Sequence, residues 1–177
     1  MKKQKVKKIL SKEQEENILN ILSNNFSNGD HFDFSFNFKN YNYSEEFIEK
    51  AIPYLDSKTL GSIITNDNCK YIFLLSENSI KKILKYKYVC LQFSYYANRI
   101  FKKRLFSEDF LQSYINKFTR KNSYYFSNNI SLISIYQNMS EDFIIKNIKI
   151  LNVEFLIRNK NITKDVKNKI ISLREII

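Results

Sequence analysis

Apolar residues recur in a fixed relation to six hydroxyl side chains, Ser11, Ser44, Ser76, Ser107, Ser140 and Thr163. Immediately before them stand Leu10, Tyr43, Leu75, Phe106, Met139 and Ile162. Four residues after the hydroxyl stand Ile48, Ile80, Leu111 and Ile144, and eight after it Leu19, Ile52, Leu84, Ile115, Ile148 and Ile171. Steps of four and eight return to one helical face, so each hydroxyl reads as an N-cap and these residues as the buried stripe of the helix behind it. The pairs one before and four after the cap have the spacing of a hydrophobic staple and are expected to touch.

The wording around four of the caps is nearly constant: SEEFIEK from Ser44, SENSIKK from Ser76, SEDFLQS from Ser107 and SEDFIIK from Ser140. Weaker copies start at Ser11 and Thr163, and neighbouring starts lie 33, 32, 31, 33 and 23 residues apart. That period predicts an all-α, solenoid-like stack of short capped helical hairpins, with the last copy cut down. Second elements are expected at roughly 58–65, 71–75, 89–101, 124–136 and 153–158, and loops near 66–68, 120–123 and 159–161. Phe32, Phe34, Phe36 and Phe38 alternate with polar residues as a strand would, whereas the repeat register favours a short helix or irregular turn. A hairpin through Asn28-Gly29 is the alternative there.

Acidic residues follow the caps at Glu45, Glu46, Glu77, Glu108, Asp109, Glu141 and Asp142. In a first helical turn they complement the helix dipole, and neighbouring ones point about 100° apart, so they read as structural and not as catalytic carboxylate pairs.

With 2 glycines and 1 proline the chain lacks the breakers of an all-β fold, and 44% hydrophobic residues are far too many for disorder. The 177 residues suit a single domain, with 1–10 as a basic N-terminal arm that carries Lys2, Lys3, Lys5, Lys7 and Lys8. No secretory signal or membrane-crossing run is evident, so a cytoplasmic protein without membrane contact is expected. Cys69 and Cys90 stand apart without zinc spacing. The only histidine, His31, reads as a loop residue. Two glycines cannot build a phosphate-cradling loop. Neither a metal, a cofactor nor a catalytic role is therefore expected.

The S-E-[ED]-F-[IL] wording, with an apolar residue before the serine and Asn/Lys-rich helices between copies, resembles the short helical repeats of large DNA phages and giant viruses. Those repeats carry a phrase like L-D-W-x-x-I upstream of the serine. Here Phe34, in His31-Phe32-Asp33-Phe34-Ser35-Phe36, stands where the tryptophan would be, and the chain has no tryptophan. The resemblance covers about residues 32–173. It implies a viral origin and a binding role, and transfers no functional residue.

A net charge of +11 favours polyanionic partners, although only five of the 29 basic residues are arginine and the Asn- and Ile-rich composition points to AT-rich coding. The basic side chains concentrate at Lys81, Lys82, Lys85, Lys87, Arg99, Lys102, Lys103, Arg104, Lys117, Arg120 and Lys121. Tyr86, Tyr88, Tyr95, Tyr96, Tyr114, Tyr124 and Tyr125 are interleaved with them. Cations that neutralise phosphates beside rings that stack on bases make a nucleic-acid-binding surface, unless the rings are core and the lysines a solvated face. The expectation is a viral host-takeover or counter-defence inhibitor, anti-CRISPR-like, that docks this surface on RNA, DNA or a host nucleoprotein. A protein-interaction scaffold without nucleic-acid contact is the alternative.

Overall fold

The computed structural model describes residues 8–27, 41–65, 69–118 and 124–174. Its residues gather in two compact units, 1–93 and 94–177. The chain is mostly helical, with eleven α-helices among the described residues.

The first unit contains β1 (Lys8–Ile9), α1 (Lys12–Ser27), β2 (Tyr41–Asn42), α2 (Glu45–Ala51), a 3₁₀ turn (Ile52–Tyr54), α3 (Ser57–Thr65), α4 (Lys70–Leu74) and α5 (Glu77–Ile83). Next comes α6 (Lys87–Lys103), whose residues from Ser94 onward belong to the second unit. That unit continues with α7 (Glu108–Phe118), α8 (Tyr124–Tyr136), α9 (Glu141–Asn147), α10 (Val153–Arg158) and α11 (Lys164–Arg174). Helix α1 packs on α2 and the 3₁₀ turn, and α3 on α4; in the second unit α8 packs on α7 and α10, and α10 on α11. The second elements read from the sequence thus form as helices. Asn159–Asn161 lies in a turn, while the loops at 66–68 and 120–123 and the Phe32–Phe38 segment lie outside the described residues.

All six hydroxyls act as caps. Ser44 accepts from the Phe47 N–H, Ser76 from Ser79, Ser107 from Phe110 and Ser140 from Phe143, at 3.1 to 3.2 Å. Ser11 accepts from Gln14 N–H while its own N–H donates to the Gln14 side chain, a reciprocal capping box. Thr163 makes the longest of these bonds, 3.4 Å from Val166 N–H.

The residues before the caps are buried in five copies and Leu10 is half-buried, and the residues four after the strong caps are wholly buried. Their packing includes a contact that the staple rule does not give. Tyr43 stacks on Phe47 with ring centroids 4.6 Å apart, and Phe106 on Phe110 at 4.3 Å, both one position earlier than the expected partner. Flat rings one turn apart lie face to face there, and the branched residues at the next position, Ile48 and Leu111, are buried.

The position eight after the cap departs from the expected stripe. Ile52, Leu84 and Ile115 are buried, Leu19 and Ile148 are half-buried, and Ile171 is 42% exposed while Ile170 is buried instead. Three of the capped helices are only seven residues long, so Ile52, Leu84 and Ile148 are C-caps and not interior helical positions. Pro53, which has no N–H to donate, helps to end the first of these.

Strands β1 and β2 pair in parallel with Lys8 opposite Tyr41 and Ile9 opposite Asn42, a shift equal to the 33-residue step between Ser11 and Ser44. Glu15, only 8% exposed, accepts from both the N–H and the hydroxyl of Ser44 at 2.6 Å. Glu49 accepts from Ser76 N–H at 2.9 Å and from the Ser79 hydroxyl at 3.0 Å. The Ser76 N–H, then its side chain, holds the Glu49 carboxyl below the usual carboxylate range. Glu108 accepts from the N–H and hydroxyl of Ser140. Of the acids that directly follow the caps, Glu108 thus reaches the next cap, while Glu46 and Glu141 pair with Lys50 and Lys169.

Candidate nucleic-acid interface

Helix α6 ends at the cationic stretch. In its second-unit portion Ser94, Ala97, Ile100 and Phe101 are buried, whereas Tyr95, Asn98, Arg99, Lys102 and Lys103 are exposed. An amphipathic helix with 3.6 residues per turn divides its side chains in this way. Lys102 and Lys103 also fall in the last turn, where the carbonyl end of the helix favours positive charge.

The chain then turns through Arg104 and Leu105 to the cap Ser107, and this turn is held from inside. The buried amide of Gln137 donates to the Phe101 and Arg104 carbonyls at 2.8 and 2.9 Å and accepts from Phe106 N–H at 2.8 Å. One copy later Asn159 does the same work, donating to the Ser134 and Gln137 carbonyls at 2.8 Å each and accepting from Asn161 N–H. Each amide donates to two carbonyls at or just past the end of a long helix one copy earlier, where the helix's own N–H donors have run out. Sequence reasoning missed both residues. A single Gln or Asn directly after a helix carries no local sign that the carbonyls it bonds lie more than twenty positions away.

Arg104 is half-buried, with its guanidinium 4.9 Å from the centroid of the Phe106 ring. Leu105 beside it is 58% exposed. Leu105, Phe106, Ser107 and Glu108 face Asn138, Met139 and Ser140 across an open groove of about 510 Å³.

Of the remaining cations named from the sequence, Lys117 is exposed on α7, and Arg120 and Lys121 lie outside the described residues. Lys82 and Lys85 are exposed and Lys81 half-buried, at the end of α5 and in the turn after it, in the first unit. The tyrosines divide sharply. Tyr95 is 72% exposed, with its ring edge-on to Tyr96 at 5.1 Å. Tyr86 and Tyr88 are exposed. Tyr114 is core: its hydroxyl accepts from the Asn129 amide at 2.8 Å and its ring meets Phe101 edge-on at 5.7 Å. The side chains of Tyr124 and Tyr125 are outside the described set.

Among the described residues no cluster of three or more His, Cys, Asp or Glu is placed to hold a metal ion. Cys69 and Cys90 are buried thiols, and Cys90 donates to the Leu84 carbonyl. His31 lies outside the described residues. Among them, too, no helix is long and apolar enough to cross a membrane. No protein family, curated protein or solved structure matches the chain.

Proposed function

We propose that the chain is a non-catalytic binding protein whose capped helical units repeat as a solenoid-like stack. It docks a basic face on RNA, DNA or a nucleoprotein and blocks access to it. The observation that carries this reading is the end of α6, where Lys102 and Lys103 are exposed side by side on the same helix as Arg99 and the bare ring of Tyr95. The acid nearest in sequence, Glu108, has its carboxylate committed to Ser140. Cations near phosphates release condensed counterions, and an exposed ring offers a stacking surface, so the chemistry suits a polyanion with aromatic bases.

Stacking is supported by the parallel pairing of β1 with β2 in the register of the repeat and by carboxylates that reach the cap of the next copy. The likeness of the S-E-[ED]-F-[IL] wording to helical repeats of phages and giant viruses supports a host-takeover or counter-defence inhibitor, anti-CRISPR-like, that works in the host cytoplasm by steric and electrostatic occlusion.

A protein-interaction scaffold is the second reading, and the groove beside the exposed Leu105 favours it. Salt separates the two. Anisotropy of labelled RNA and DNA oligonucleotides should report binding that weakens steeply from 50 to 200 mM salt. Absence of binding, or an affinity indifferent to salt, would move the assignment to the scaffold.

A further inference from the structure

Helix α6 carries more than charge on its outward face. On a helical wheel of 100° per residue, Tyr95, Arg99 and Lys102 fall within about 60° of one another, and the two cations lie about 6 and 10.5 Å along the axis from the ring. All three are exposed, and Tyr95 is the most exposed tyrosine of the described chain. A ring at 72% exposure contributes little to a core. Its T-shaped contact with Tyr96 leaves most of the ring open to solvent. Bases inside a duplex present only their edges, so an open ring face has nothing to stack on there. Unpaired bases present theirs.

Building on the reading above, we infer that the Tyr95–Arg99–Lys102 face of α6 is a binding site for single-stranded nucleic acid. A base stacks on Tyr95, and the phosphates that follow it track Arg99, Lys102 and Lys103 toward the end of the helix. Charge complementarity selects the backbone, and the ring selects single strands over duplexes. Neither contact reads base identity, so the site tolerates different sequences.

The chain has no tryptophan, so Tyr95→Trp creates a sole indole at the stacking position, and Ile145→Trp places one at an exposed site on α9 as a control. Both variants are titrated with a 12-nucleotide single strand and with its duplex, fluorescence and anisotropy being read together. The expected result is strong quenching of the position-95 indole by the single strand, little at position 145, and single-strand affinity at least tenfold above duplex affinity. Tyr95→Ala should weaken single-strand binding about tenfold and leave duplex binding unchanged. Equal affinity for strand and duplex, with position 95 quenched no more than position 145, would overturn the stacking site while leaving a basic nucleic-acid-binding protein in place. Failure of the wild-type chain to bind either oligonucleotide would overturn both.

Discussion

The carboxylate of Glu15 accepts the backbone N–H and the hydroxyl of Ser44 together, each at 2.6 Å, so the first capped helix completes the cap of the second. Ser44 in turn accepts from Phe47 N–H, which strings a carboxylate, a hydroxyl and a first-turn amide into one chain of hydrogen bonds. Glu15 is buried, and its removal takes a charged acceptor from both the N–H and the hydroxyl of Ser44. Glu15→Ala should lower the unfolding free energy by about 2 kcal/mol in urea denaturation. The exposed neighbour Glu13→Ala should change it by less than about 0.5 kcal/mol. Equal effects would mean that the tie is not a stabilising contact.

The tie from Glu49 to Ser76 makes stability depend on acid. Its folded-state pKa is depressed, first by the Ser76 N–H. Such a group adds stability that is fully present above the unfolded carboxylate pKa, about 4.3, and lost as pH falls through the lower folded value. Unfolding free energy should therefore decline below about pH 4.5, and Glu49→Gln should flatten part of that decline. An identical pH profile for the variant would count against the tie.

Gln137 bonds three backbone groups, and replacing it with leucine of similar size removes all three hydrogen bonds at once. Gln137→Leu should cost about 3 kcal/mol or more, read as a fall in Tm, and Asn159→Leu should cost a comparable amount for the same reason. Circular dichroism melts decide this. Exposed Asn98 or Ser113 replaced by alanine should melt close to wild type, and a Gln137→Leu melt as close would refute the clamp.

The six caps should not be worth the same. Ser107→Ala removes a 3.2 Å bond and should cost about 1 kcal/mol, while Thr163→Ala removes one of 3.4 Å and should cost less. Denaturant midpoints of the two variants give the order.

Much of the architecture was legible because it is local. A hydroxyl, a first-turn amide and a one-turn hydrophobic step are decided within a few residues, which is why all six caps and the second helices through 153–158 stand where the pattern puts them. Helix ends were less legible. Whether Ile148 is an interior helical residue or a C-cap depends on what packs beyond it, and whether Ile170 or Ile171 turns inward depends on the helices beside the last one. Contacts set by tertiary structure left no mark at all: Glu108 reads as an ordinary first-turn acid, yet it caps Ser140 from 32 residues away. In the candidate site, charge runs located Lys102 and Lys103, but composition did not divide the tyrosines. Tyr95 and Tyr114 both sit among basic residues, and only the packing of their helices sends one to solvent and the other against Phe101.

The most direct test of the binding account is the slope of log affinity against log salt for a single-stranded oligonucleotide, compared between the wild-type chain and Lys102→Ala/Lys103→Ala. Arg104 is left in place because it also covers Phe106. Loss of two phosphate contacts should make the slope shallower by about 1.4 and weaken binding at low salt. An unchanged slope, with the double variant folded and binding as tightly as wild type, would contradict the assignment of this face.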